Sequence, residues 1–306
     1  MKSSNVGGQA VLEGVMMKHG DNYAVAVRKP DGEIEVHKEE YKSVIKWRKL
    51  TRIPFIRGVF NFVDSMVLGM RSLSYSASFY EEEESAEELS DKEVAVQEKK
   101  EKIIMGITMV FSFAMAIGIF MVLPYFLSNL LKKAIPSYNI RIVLEGIIRL
   151  CIFIGYIGGI SLMKDIRRLY MYHGAEHKCI NCIEHGLDLS VENVKKSSKE
   201  HKRCGTSFML FVMIVGIILL FFIRVEAPFL RVLVRIVLLP VIAGISYELI
   251  RWAGSSDNPI VTLFSKPGLW LQGLTTKEPD EAMIEVAICS VEAVFDWKEY
   301  KAENFN

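Results

Sequence analysis

Long apolar runs fill the middle of the chain, while its ends show shorter alternations of apolar and polar positions. Four runs approach the roughly 20 residues a helix needs to cross a bilayer. They are Ile103–Leu131, kinked at Pro124; Ile142–Met163; the short Phe208–Ile223; and Phe229–Ile250, with Pro240 inside it. About five residues join the third to the fourth, which makes the pair a helical hairpin. Near the N-terminus, NYAVAVRK and EIEVHK alternate on either side of Pro30-Asp31-Gly32 and predict a β-hairpin. Before it, GGQAVLEGVMM reads as a strand or a membrane-surface segment, in which Gly7 and Gly8 permit a turn or a close approach. Residues 53–80 are apolar but broken by Arg57, Asp64 and Arg71, the pattern of an interfacial amphipathic helix, with a fifth, poor span as the alternative. Residues 81–102 are a charged linker or solvated helix. Beyond the fourth span, the Trp and Leu near Pro267 and Gly268 suggest an interface-anchored loop, and Glu281–Phe295 an amphipathic helix.

The expected fold is mainly α: a polytopic membrane protein with about four transmembrane helices, a small N-terminal β-hairpin element and a C-terminal amphipathic helix. Its segments are 1–50, β-containing; 51–80, interfacial; 81–102, linker; 103–163, spans one and two; 164–207, a His/Cys-rich loop; 208–250, the hairpin; and 251–306, the C-terminal segment.

Charge refines this picture. A net charge of +1 gives no ground for a nucleic-acid partner. The polar N-terminus does not read as a cleavable signal peptide, so the first span is expected to direct membrane entry. Lys and Arg are concentrated before span one and between spans two and three, while only Lys132, Lys133 and Arg141 lie between spans one and two. That bias puts both termini and the 164–207 loop on the cytoplasmic side of the cell's inner (plasma) membrane. All cysteines but Cys151 then lie in or near a reducing compartment, where metal thiolates are allowed and disulfides disfavoured.

Within that loop, four His and three Cys fall between His173 and Cys204, in a chain holding six and five in all. The periodic positions Ile166, Leu169, Tyr170, His173, Glu176 and His177 predict that the second span continues as a helix out of the membrane. His173 and His177 then stand one turn apart on one face and can converge on a metal ion, with Glu176 between them as general base in the His-x-x-Glu-His order of inverted zincins. A second grouping competes: Cys179-x-x-Cys182 with His201-x-x-Cys204, close to a structural Cys3His zinc spacing. The two share His201 and Cys204, and His185 could join either. Glu248 could be a further ligand or pair with Arg251. Glu145, Arg149, Arg231 and Arg235 are expected to pair across the bundle, and Lys195, Lys196, Lys199 and Lys202 to meet anionic lipid heads.

GGQAVLEGVMM, HGAEHK at His173–Lys178, HKRCGTSF at His201–Phe208 and PGLWLQGLTTKEP at Pro267–Pro279 resemble the signatures of the YqhQ-like family. These are bacterial membrane proteins carrying a domain of unknown function and labelled metal-dependent enzymes. The family pattern falls on His173, Glu176, His177, His201 and Cys204; where this chain has Cys179 the family often has another residue, such as Thr. The resulting expectation is a divalent metal, zinc in kind, held by His173, His177, His201 and Cys204, with Glu176 as general base. Gly7–Gly14 would cover the site and bring Glu13 close to it. As an enzyme, the protein would be a hydrolase acting on a lipid-linked or membrane-protein substrate. The rival is a non-catalytic membrane-biogenesis or translocon-associated protein with a membrane-protein partner.

Overall fold

The computed structural model describes residues 2–43, 53–80, 91–223, 225, 227–255 and 258–305. The chain divides into two units, one of Met1–Tyr80, Tyr156–Val215 and Val237–Asn306, the other of Glu81–Gly155 and Gly216–Ile236. Of the charged linker, 81–90 lies outside the described residues.

The first unit opens with β1 (Val6–Val11), β2 (Gly14–His19), β3 (Asn22–Arg28) and β4 (Ile34–Glu40), an antiparallel meander in the order β1-β2-β3-β4. The expected hairpin is β3–β4, pairing Val25 with His37. GGQAVLEGVMM adds a second hairpin, so the element is four strands rather than two. Successive side chains alternate between faces. Val6, Val15, Met17, Ala24 and Ala26 face one core, and Val11, Met16, Tyr23, Val25 and Val27 the other. On the first face pack α5 (Lys164–Glu184) and α10 (Glu281–Val294), through Ile180, Ile183, Met283, Ile284 and Val291. On the second lies α1 (Ile56–Ala77), through Leu68. Asp280 caps α10 by accepting from the Met283 N–H at 2.8 Å.

In the second unit, α2 (Asp91–Ile117) passes through a π-helical turn, Gly118–Val122, into α3 (Leu123–Leu130). Pro124 lacks an N–H and disrupts the regular ladder, which the π turn just before it absorbs. Glu145 of α4 (Tyr138–Ile160) accepts from Arg149 at 3.0 Å and from Arg235 at 2.7 Å. Arg231 does not join them; its guanidinium lies 5.1 Å from the ring centres of Tyr125 and Tyr138.

Among the described residues, three helical stretches, not four, are long and apolar enough to cross a membrane: Gly106–Leu130, Gly205–Phe222 in α7 (Gly205–Phe222) and Phe229–Gly254 in α8 (Pro228–Ser255). The second expected span is not among them. Arg141, Glu145 and Arg149 charge successive turns of α4, which stops at Ile160. The helix also does not run on to His177: Met163 is extended (φ −69°, ψ 133°) and α5 starts afresh at Lys164. Gly158 and Gly159 weaken the helix just before the break, and the Ser161 hydroxyl donates to the Gly158 carbonyl at 2.7 Å. The expected loop around Pro267 is instead α9 (Pro259–Thr275). Asn258 caps it, accepting from the Ile260 N–H at 2.9 Å, with Pro259 at the first turn, where a missing N–H costs nothing.

Candidate metal centre

Helix α5 carries the candidate donors, and two strands of chain are fastened along it. The segment after α9 runs past its first half: Lys277 N–H donates to the Tyr170 carbonyl at 2.9 Å. The approach is so close that a Cβ on Gly174 would stand 2.0 Å from the Lys277 carbonyl oxygen. Gly174→Ala is therefore expected to cost about 3 kcal/mol, seen as a lowered Tm in detergent. Gly159→Ala, with open space around it, is expected to be neutral or slightly stabilising.

The second strand is the loop between α6 (Val191–Lys196) and α7. Buried polar side chains of α5 donate to carbonyls of this loop and of the end of α6: Lys178 to Lys195 and Ser197 at 2.9 Å, and Asn181 to Ser198 at 2.7 Å and Glu200 at 2.8 Å. Gln272 of α9 holds the other side, accepting from His201 N–H at 2.9 Å and donating to the His201 carbonyl at 2.8 Å. His201 and Cys204 are the buried residues of this loop, and Gln272 satisfies both backbone groups of His201 there. The loop ends by delivering Cys204 to α5.

The tautomers follow from these contacts. Nδ1 of His173 lies 2.9 Å from the Thr275 carbonyl oxygen and Nδ1 of His177 lies 2.7 Å from that of Lys199. A carbonyl only accepts, so both Nδ1 atoms carry the proton and donate, and Nε2 is the nitrogen each ring has left to offer a ligand. Cys204 Sγ stands 3.5 Å from Nε2 of His173, and one donor atom each of His173, His177 and Cys204 lie within 4.8 Å of one another. The Thr206 N–H donates to Cys204 Sγ at 3.4 Å. A cavity of about 390 Å³ opens onto these three donors.

Glu176 is buried beside them, its Oε2 3.9 Å from Nε2 of His173. Burial pushes its pKa up to about 6, with His173 and the Gly8 N–H pulling the other way. Strand β1 covers this carboxylate: a Cβ on Gly8 would meet Glu176 Cγ at 2.9 Å and the Met16 carbonyl at 2.7 Å. Only glycine lets the strand lie so close.

The other candidates do other work. His201 does not join the cluster: Nε2 donates to Glu184 at 3.3 Å and Nδ1 accepts from the Arg203 N–H at 3.4 Å, so both ring nitrogens are engaged. His185 bonds its own helix at the Asn181 carbonyl, 2.7 Å away. Cys179 and Cys182 are buried in the apolar core, and burial pushes the Cys179 thiol far up. Glu248 binds Arg57 at 2.5 and 2.7 Å, rather than pairing with Arg251 or reaching the donors. Glu13 pairs with Arg168 and accepts from the Tyr172 hydroxyl at 3.1 Å, outside the cavity. Three of the four loop lysines meet carboxylates: Lys195 with Glu281, Lys196 with Glu192 and Lys199 with Glu278. Sequence reasoning passed over Glu184, Lys178, Asn181 and Gln272. Their one signal is polar residues recurring along a helix flanked by apolar positions, too common to single them out.

A family model described as "Protein of unknown function (DUF1385)" matches residues 53–297. The chain belongs to this DUF1385 family. It is 38% identical over 288 residues to "Uncharacterized protein YqhQ" of Bacillus subtilis (strain 168), covering 92% of this chain and 89% of that one. No solved structure matches. The DUF1385 match contains His173, Glu176, His177 and Cys204 but begins after the β-sheet that covers Glu176.

Proposed function

We propose that this is a multi-pass membrane protein whose His173, His177 and Cys204 hold a divalent metal ion, zinc in kind. Its activity is proposed to be hydrolysis of a lipid-linked or membrane-protein substrate. The observation that carries the reading is the pair of imidazoles with Nδ1–H fixed on carbonyls and Nε2 turned toward a thiol. Ligating histidines recur in this outer-shell arrangement, and two imidazoles with one thiolate suit zinc. Three protein donors facing a cavity are the number typical of a catalytic rather than a closed structural site.

A divalent ion held there would supply Lewis-acid activation of water or of a carbonyl or phosphoryl oxygen. Glu176 is the carboxylate placed to take up a proton, and β1 keeps it from bulk water. The Thr206 N–H donates to Cys204 Sγ and orients it. In the membrane, the Lys/Arg bias puts both termini and the α5–α7 loop on the cytoplasmic side, with the site at that surface.

The test is metal analysis of the protein purified from membranes, with about one ion per chain expected; none would overturn the reading. Glu176→Gln is expected to keep the ion while failing to restore function in a strain lacking the protein. If it keeps the ion and behaves as wild type, the ion is a staple and the non-catalytic membrane-assembly role stands.

A further inference from the structure

Strand β1 is an outermost strand of the sheet, and it borders the cavity that holds the donors. Asn5, Val6, Gly7 and Gly8 line that cavity in succession. Side chains of a strand alternate between faces, so consecutive residues border one cavity only along the strand's edge. Val6 turns its side chain into the core shared with α5. A Cβ on Gly7 would meet nothing within 4 Å.

The hydrogen bonds show which backbone groups point away from β2. The N–H groups of Val6 and Leu12 donate to Ser4 Oγ at 3.2 Å and to Ser76 Oγ at 3.1 Å, and that of Gly8 donates to the Glu176 carboxylate. A residue of an antiparallel strand turns its N–H and C=O to the same side, so the carbonyls of Val6 and Gly8 point outward as well. Neither accepts a hydrogen bond among the described residues. Val6 is only 3% exposed and Gly8 half-buried. Two such acceptors, about 7 Å apart along the strand, call for a ligand with N–H donors at the same spacing.

The proposed chemistry lies at the same edge. Glu176 meets the strand at Gly8, and His173, His177 and Cys204 line the same cavity. Each arginine of the cavity already has a carboxylate: Arg203 is paired with Glu184, and Arg251 attracts Glu248.

We infer that the occupant is an extended polypeptide segment, which adds to β1 as a further strand along Val6–Gly8 and is hydrolysed there. This rests on the metal reading and names the substrate class for that site. An extended chain presents N–H groups to one side at every second residue, the way a peptide joins an open sheet edge. A phosphate or ester group would instead present acceptors to the Val6 and Gly8 carbonyls. Hydrolysis adds water to the scissile carbonyl carbon and breaks its C–N bond. Glu176 carries a proton from the water to the leaving nitrogen, giving a carboxylate and an amine.

The test is binding to the full chain in detergent, read by native mass spectrometry. One probe is acetyl-Ala-Leu-Ala-Leu ending in a hydroxamate, with a set in which each amide N–H in turn is replaced by an ester oxygen. The other is octanohydroxamate, which carries the same metal-binding group on an alkyl chain. The peptide is expected to bind about tenfold or more tighter than octanohydroxamate. Esters at two alternate positions are expected to weaken it about fivefold or more, and those at the positions between by less than about twofold. A loss that does not alternate would overturn the inference. So would octanohydroxamate binding as tightly as the peptide, the result a lipid substrate gives. Metal content measured on the same sample separates the two readings: an ion without the alternation overturns the strand pairing alone, and no ion overturns both.

Discussion

Cys204→Ala is expected to abolish metal retention, whereas Cys182→Ala is expected to leave it intact. The competing grouping, Cys179-x-x-Cys182 with His201-x-x-Cys204, shares Cys204 with the histidine site, so Cys182→Ala is the variant that separates the two. Cys204 enters the cavity beside His173 and receives a backbone N–H from Thr206. Cys179 and Cys182 lie on the opposite side of α5, among Met283, Ile284 and Val291. A ligand must be a thiolate, and burial holds both of these as thiols, pushing Cys182 up to about 11. Losing a sulfur that would touch the ion should weaken binding by more than the roughly 10–100-fold that loss of a group hydrogen-bonded to a ligand costs. Cys182→Ala should cost about 1 kcal/mol of packing and leave about one ion per chain. Substituting cobalt makes the difference visible, since a cobalt–thiolate absorption is expected in Cys182→Ala and not in Cys204→Ala. Loss of the ion in both variants would move the site to Cys179, Cys182, His201 and Cys204.

Much of this arrangement was legible before the fold was known. The one-turn spacing of His173 and His177 needed only the 3.6-residue helical period, whereas Cys204 was expected together with His201, which the fold turns to Glu184 instead. The alternation around Pro30-Asp31-Gly32 announced the β3–β4 hairpin directly. What escaped was decided by contacts between distant segments. Helix α5 carries the apolar period of α4 almost in phase, so the break at Ser161–Met163 hides behind continuous periodicity. The tautomer that separates His201 from the ligand pair depends on Glu184 and on the Arg203 N–H, neither of which spacing can reveal. Helix α9 was masked by Pro267, although the Asn258-Pro259 start signal was present. Glycines at 8 and 174 read as permissive, but only the approach of Glu176 and Lys277 shows what each makes room for.

Glu184→Ala is expected to destabilise the protein by about 3–5 kcal/mol, the scale for breaking a buried ion pair from one side. Glu184 is fully buried in the last turn of α5, where the helix dipole disfavours a negative charge. It is tolerated because it gathers four donors from two distant segments: the Ser4 N–H at 2.7 Å, the Ser4 hydroxyl at 2.9 Å, His201 Nε2 at 3.3 Å and the Arg203 guanidinium. It therefore ties the chain's start and the α6–α7 loop to the same helix end. Burial raises the Glu184 pKa, but His201, Arg203 and Ser4 outweigh it and hold the carboxyl down to about 2. With the folded pKa below the unfolded one, the stabilisation is fully present above the unfolded value of about 4.3 and is lost as pH falls toward 2. The shift corresponds to about 3 kcal/mol. His201 acts in the same direction, since burial lowers its pKa and acidification must charge a buried ring. Glu184→Gln keeps the shape and removes the carboxylate titration, so its thermal stability in detergent should fall less steeply between about pH 5 and pH 3 than that of wild type. Parallel pH profiles for the two would show that this carboxylate does not anchor the fold.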